Sequence, residues 1–523
     1  MPPAFKAAVL ALLATLPGCA SGQAGDDGGA LAETSTDSTI QFPDSGPTDA
    51  LGAPEGTGGT ITVTAPAGGE TFPAGSQQTL SWTSSGAVGS VDIELWRAGS
   101  KHGDVAQGQA PSGSYAWSVP VDTPRGDDYT LRVADPASGA AGTSAAFAIA
   151  NWRFRAPISV TSTMALADYQ VRVTLDDAGF TYANASPDGA DLRFGSTSAP
   201  GTFDLPHWIE DWSPGGTSHV WVKVPALSAG QATTIYLFYG MAGASDAGDV
   251  QATFPSQLVS SGNLTLNGPQ EVDWFELKAG DTLTLGSGQP LTIKARRILI
   301  SGSVDGTGKG HAGGTGGGAG QGPGGGGGAT NSGAGGGSYG GKGGTGGYDS
   351  ADTPGTGGPV YGSSSGSSIE MGSGGGAGSS QVGGAGGGAL TLEGEQVLVS
   401  GAIAVNGEAG IGAGQSSGGG AGGGILIIGE AVSLTGSCAA RGGAGGSGSS
   451  TANDGGGGGG GGRIKVLHGE PMGAAPSLVV TGGAGGQYGD VASGTAGAKG
   501  SSYTAQQGYS PVTVTVGAEE PAE

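Results

Sequence analysis

Positive charge is scarce in this chain: 20 Lys and Arg stand against 43 Asp and Glu, a formal charge of −23. Nucleic acid and anionic lipid head groups are both recognised by basic patches, so this balance argues against either as a partner. Cysteine is scarcer still, with two in 523 residues, which excludes a disulfide framework. No long apolar run follows residue 19, so nothing beyond that point is expected to cross a bilayer as a helix. The histidines, His102, His207, His219, His311 and His468, show no metal-ligand spacing, and Cys438 has no cysteine beside it for a zinc site. No metal and no other cofactor is expected. What the chain has in excess is glycine, 117 residues, gathered mostly after position 300.

The first nineteen residues have their own texture. Lys6 precedes an apolar run from Ala7 to Leu16, too short to span a bilayer, and Leu16-Pro17-Gly18-Cys19 ends it. Those four residues resemble a bacterial lipobox, and the resemblance implies cleavage and acylation at Cys19. By the sorting pattern of such lipoproteins, Ala20 in place of aspartate implies the outer membrane. The chain is therefore expected to be exported, tied to the membrane through an N-terminal lipid, and exposed on the cell surface. Residues 20–59 carry Asp26, Asp27, Glu33, Asp37, Asp44, Asp49 and Glu55 and no cation. Too little apolar surface is present to offset ordering entropy, so this stretch reads as a disordered acidic linker.

From Thr60 the pattern becomes one of short alternating strands: Thr60-Ile61-Thr62-Val63, Thr79-Leu80-Ser81-Trp82, Val91 to Trp96, Tyr115 to Val119, and Tyr129 to Val133. Period-two runs divided by Gly, Pro, Ser and Asp predict a β-sandwich over 60–150. The words Val63-Thr64-Ala65-Pro66-Ala67-Gly68-Gly69-Glu70 and Leu80-Ser81-Trp82-Thr83 resemble an Ig-like module of bacterial surface proteins and of the Ser/Thr-rich GPI-anchored and yeast cell-wall-synthesis family. Residues 151–255 read as a second β module. Trp152-Arg153-Phe154-Arg155, Tyr169 to Val173, Asp188 to Phe194, Leu205 to Glu210, Val220 to Pro225 and Ile235 to Gly240 follow in order. This succession resembles the bacterial family designated domain of unknown function 2341, which implies a jelly-roll-like β-sandwich and no established activity.

Residues 256–510 hold a repeat. Leu291 to Val304 aligns without gaps to Leu390 to Ile403 and to Ile425 to Cys438, and a degenerate copy runs from Arg463 to Val480, one residue longer. Two short strands per copy cannot bury a face alone, so neighbouring copies must stack, as in a parallel β-solenoid. Val304, Ile403, Cys438 and Leu478 then form one inward ladder, with Cys438 acting as a small buried hydrophobe. The glycine tracts between copies are either loose coil or extended strands packed in a polyglycine-II-like array, open only to glycine. Residues 511–523 read as an acidic tail. The fold class expected is thus all-β, with no substantial helix outside the signal segment.

Chemistry is sparse. Gly336-Gly337-Ser338-Tyr339-Gly340 and Gly362-Ser363-Ser364-Ser365-Gly366 match the nucleophile-elbow pattern as text, but neither sits between a strand and a helix. Gly341-Lys342 continues with Gly343, which excludes a Walker A loop. The calcium-binding nonapeptide is absent from the repeat. One polar and aromatic cluster remains: Trp208, Glu210 and Trp212, with Asp191 and Arg193 nearby. At period two the first three share a strand face, an arrangement suited to a carbohydrate groove. The competing reading has Trp208 and Trp221 filling the sandwich and Glu210 paired with Arg193. Trp82, Trp117 and Trp221 are expected to be buried, and Trp212 to be more exposed than Trp208. The function expected is that of a non-enzymatic, lipid-anchored structural or adhesive surface protein. A carbohydrate-binding module at 151–254, meeting cell-surface or extracellular polysaccharide, is the alternative, and a polysaccharide-active enzyme comes third.

Overall fold

The computed structural model describes residues 58–522 apart from 242, 350–351, 413, 449–453 and 488–492. The signal segment, Cys19 and residues 20–57 lie outside the described residues. Those described are nearly all β, with a single four-residue α-helix, Val250–Thr253.

The Ig-like module is a sandwich. Thr60–Ala65, Gln77–Ser85 and Gly113–Ser118 form one sheet, and Thr71–Pro73, Phe147–Ala150, Gly126–Ala134, Val91–Arg97 and Ser100–Gln109 the other. The period-two apolar residues fill the space between: Trp82, Trp117, Leu80, Ile93, Tyr129 and Leu131 are all buried.

In the second sandwich, Leu166–Asp176, Thr217–Leu227 and His207–Asp211 face a sheet ordered Arg193–Gly195, Ala232–Tyr239, Phe154–Ser162, Val512–Val516. The last of these strands corrects the reading of 511–523 as a tail. Val512-Thr513-Val514-Thr515-Val516 has strand periodicity, and it pairs antiparallel with Phe154–Ser162, Val514 opposite Val160. The acids beyond it are occupied too. Glu519 accepts from the Tyr239 hydroxyl at 2.5 Å, and Glu520 pairs with Arg155 at 2.8 Å. The chain end thus completes a sheet begun some 350 residues earlier (Phe154 to Val512).

Between them lies the solenoid. Its first sheet stacks Gln257–Val259, Trp274–Leu277, Leu291–Ile300, Ala389–Val399, Gly424–Leu434, Arg463–His468 and Ser501–Gln506, all parallel. The second stacks Leu264–Leu266, Thr282–Leu285, Ser303–Asp305, Ala402–Ala404, Ser437–Ala439 and Ser477–Val479. The repeat register holds: Leu291 pairs with Leu390 and Leu390 with Ile425, while Val304, Ile403, Cys438 and Leu478 follow one another. Cys438 is buried in the core. Two earlier rungs, over 257–285, have no counterpart in the sequence alignment: their corners, 260–263 and 278–281, run to four residues, whereas the aligned copies turn in two, the second a glycine. That corner has a steric cause. A Cβ on Gly401 would lie 1.9 Å from the Gly302 carbonyl oxygen, and one on Gly436 would lie 1.8 Å from that of Gly401.

The glycine tracts leave the solenoid after each short strand and return to begin the next long one. They are packed, and their hydrogen bonds repeat every third residue. In the path 454–462, Gly457 and Gly460 donate to Ala334 and Gly337, Gly458 and Gly461 to Thr495 and Ala498, and Gly459 and Gly462 to Gly443 and Ala440, all at 2.8–2.9 Å. Its carbonyls receive from three further tracts, with Gly344 reaching Gly458, Gly419 reaching Gly457 and Gly483 reaching Gly459. Each extended strand makes three residues per turn and no internal hydrogen bond, so its groups point outward in three directions and find partners all round. Six neighbouring tracts surround this one. Glycine is required here: a Cβ on Gly459 would stand 1.9 Å from the Gly420 carbonyl oxygen.

Candidate functional site

The residues singled out at 191–212 do not line one surface. His207–Asp211 pairs with Thr217–Leu227, and the register shifts between Ile209 and Asp211. Such a bulge re-aims the side chains beyond it. Trp208 and Glu210 therefore face away from the sandwich core. Trp212 turns back onto that core, edge-on to Tyr182 (5.1 Å) and Phe180 (5.9 Å), with its indole N–H donating to the Pro187 carbonyl. Both Trp208 and Trp212 are half-buried. Trp221 is fully buried, as are Trp82 and Trp117.

The outer face carrying Trp208 and Glu210 meets the long strands of the solenoid. Glu210 accepts from Arg172 (3.2 Å) and the Trp221 indole (3.0 Å) through one oxygen, and from Arg297 (3.3 Å) and Gln396 through the other. Arg297 also donates to Gln396 at 2.7 Å and lies over Trp274 (4.5 Å) and Trp208 (5.3 Å). Burial pushes the Glu210 carboxyl up, but Arg172, Gln396 and Arg297 outweigh it and hold the group below the usual carboxylate range. Burial likewise lowers Arg297. Phe254 and Trp274 close the apolar side of this joint. The partner read from sequence, Arg193, is not there.

Arg193 and Asp191 instead organise loops. Arg193 donates to the carbonyls of Ala190, Leu192 and Ser245, and its guanidinium sits over Trp152. The buried Asp191 carboxylate accepts from the backbone N–H groups of Ser186, Gly240 and Met241. Buried carboxylates satisfied by three backbone donors hold turns in place. His207, also buried, leans on Phe194, and its Nε2 has no hydrogen-bond partner. Burial, with Arg193 adding to it, depresses this imidazole to about 4. The partners of Glu210, namely Arg172, Arg297 and Gln396, were not legible in the sequence. They come from a strand 38 residues upstream and from two solenoid rungs far downstream.

A cleft of about 380 Å³ opens where the chain end crosses from solenoid to sandwich, lined by Tyr169, Arg172, Glu395, Glu430, Glu470 and Ser510 among others. Its acids have work already. Glu430 accepts from the Tyr509 and Ser510 backbone, Glu395 from the Tyr169 hydroxyl, and Glu470 faces Arg172. Among the described residues no group of three or more His, Cys, Asp or Glu is placed to hold a metal ion.

These features define a modular all-β protein: two sandwiches, a solenoid and a glycine bundle. Two family models match it in that order, the Kre9/KNH-like N-terminal Ig-like domain over 65–149 and the domain of unknown function DUF2341 over 188–257. Neither spans half of the chain, and no enzyme family matches. No curated protein is similar to it. Among solved structures, the chain is similar to fibronectin(III)-like modules of Clostridium thermocellum CbhA, at 14% identity over 34% of this chain and 78% of that one, with a TM-score of 0.13. At that score the likeness carries no functional argument.

Proposed function

We propose that this chain is a lipid-anchored structural or adhesive protein of a bacterial cell surface. The observation that carries the reading is the construction of its largest part. A solenoid core is extended on one side by a hydrogen-bonded glycine array and riveted on the other to a sandwich through Glu210. The chain end is then paired back into that sandwich. Such an object lacks loose ends among its described residues and holds its turns on a hydrogen-bonded frame. The lipobox-like Leu16-Pro17-Gly18-Cys19 supplies the attachment. The cluster at 191–212, offered above as a carbohydrate groove, is taken up by internal contacts and lends the alternative no support.

The test is fractionation of the producing cell. Wild-type protein is expected in the membrane fraction, labelled by a fatty-acid probe and cleaved by protease added outside intact cells. Cys19→Ser is expected in the soluble exported fraction, without label. Unchanged partitioning of that variant removes the anchor. Resistance of the wild type to external protease, with cleavage after the outer membrane is opened, removes the surface placement.

A further inference from the structure

The strand that completes the second sandwich is the least deeply seated in its sheet. On Phe154–Ser162, Ile158 and Val160 are wholly buried. Opposite them, Val516 and Val514 pack on the same core but stay half-buried, while Thr513 and Thr515 stand in solvent. Val512–Val516 is an edge strand, and among the described residues Phe154–Ser162 is its one neighbour in the sheet. Its connection to the solenoid is the crossing 507–511, where Gly508 is exposed and a Cβ on it would meet nothing within 4 Å. The Gln507 N–H on the His468 carbonyl holds this crossing, together with the Glu430 carboxylate, which accepts from Tyr509 and Ser510.

Shallow seating is combined with specific recognition. The ladder runs in continuous register from Ile158 opposite Val516 to Ser162 opposite Val512. Beyond the strand, Glu519 accepts from the Tyr239 hydroxyl and the Asn184 amide, and Glu520 pairs with Arg155. The Ala522 N–H donates to the Arg153 carbonyl, and its methyl group is buried beside Trp152 and Phe238. None of these contacts requires that the strand and the groove belong to one molecule. With the strand lifted away, Phe154–Ser162 would present a row of unpaired N–H and C=O groups, a template for another strand. The segment whose register, valines and acids match that template is the one each copy carries. Taking it from a neighbour restores the same contacts, so the balance depends on how closely copies are crowded.

We propose that the groove along Phe154–Ser162 also accepts residues 511–522 of a second copy, so that neighbouring molecules join by exchanging this strand. Main-chain pairing supplies the contact, and Glu519 and Glu520 fix its register. The inference goes beyond the adhesive reading and does not depend on the lipid anchor.

The test is a cross-link between two copies. The backbone bonds of this ladder fall on Pro157 with Gly517 and Thr163 with Pro511, so Val160 and Val514 oppose each other at a non-hydrogen-bonded pair. Side chains are closest at such pairs, within reach of a disulfide. Full-length Val160→Cys and Val514→Cys proteins, both carrying Cys19→Ser, are mixed at high concentration and held just below the thermal transition under mild oxidation. Cys438 is buried and out of reach. A disulfide-linked dimer joining residue 160 of one copy to residue 514 of the other is expected. Thr513→Cys in place of Val514→Cys should give about tenfold less of it, because a side chain pointing away cannot be bridged. The double variant Val160→Cys with Val514→Cys should close within one chain and stay monomeric through the same treatment. Dimer no more abundant than with Thr513→Cys, while the double variant closes, would overturn the proposal. So would a double variant that never closes, since the register on which exchange relies would then be wrong.

Discussion

The solenoid and the glycine array are made from the same stretches of chain, alternately, yet they are held together by opposite means. In the solenoid, side chains do the work: Ile293, Leu392, Ile427 and Val466 stack rung on rung inside a dry core. In the array there are almost no side chains to pack. Backbone N–H and C=O groups satisfy one another in three directions, and van der Waals contact is made by the backbone itself. Glycine loses more conformational freedom on ordering than any other residue. The array is therefore expensive to order from an isolated chain. It forms because each tract is fixed at both ends by solenoid strands whose register is already set, which shortens the loops to be closed. The difference teaches that one region tolerates changes in shape and the other tolerates none.

Substitution should expose that contrast most sharply at Gly459. A valine there drives its Cβ into the Gly420 carbonyl, where only backbone can move, and about 3 kcal/mol or more of stability should go. Denaturant unfolding of the purified protein measures it, and a loss under 1 kcal/mol would mean the array is looser than the hydrogen bonds imply. The matching change in the solenoid is Ile427→Ala. It removes a fully buried side chain and leaves a cavity, at a cost of about 2–4 kcal/mol, but its neighbours can partly collapse. If Ile427→Ala proves costlier than Gly459→Val, the contrast between the two regions is reversed.

The second sandwich shares the solenoid's device, a core of buried side chains, and its weak point is acid. His207 is buried neutral, with its affinity for protons depressed to about 4. The unfolded chain, with imidazole near 6.5, binds that proton first, so stability is full above about 6.5 and declines as pH falls toward 4. The fall amounts to roughly 3 kcal/mol for this group. Replacing it as His207→Phe should flatten stability over that interval, seen in melts at pH 7 and pH 4.5. An unchanged slope would show that other groups carry the acid response.

The smallest effect should come from Cys438→Val. Valine already fits this kind of site at Val304, one position of the same ladder, so less than about 1.5 kcal/mol should be lost. Burial raises the thiol to about 12, so native protein should resist bulky thiol reagents at neutral pH. Rapid labelling of folded protein would place Cys438 on the wrong face and undo the ladder.

Much of this architecture was written in the chain. The aligned words at Leu291, Leu390 and Ile425 carry period two and a shared corner glycine, and those two signals determine strand, face and stacking partner without further information. Trp82 and Trp117 announce a sandwich core for the same reason. Local pattern was also present in Val512-Thr513-Val514-Thr515-Val516, though the acids behind it hid the strand.

Tertiary structure alone decided three things. A one-residue bulge at Glu210 separated Trp208 from Trp212, because register is a property of a pair of strands and not of one. The partners of Glu210 arrived from residues 172, 297 and 396, which only the docking of sandwich on solenoid brings together. Whether glycine orders could not be read from glycine, which permits every backbone conformation and prefers none. That choice was made by six neighbouring tracts, each offering hydrogen-bond partners at the spacing of a threefold strand.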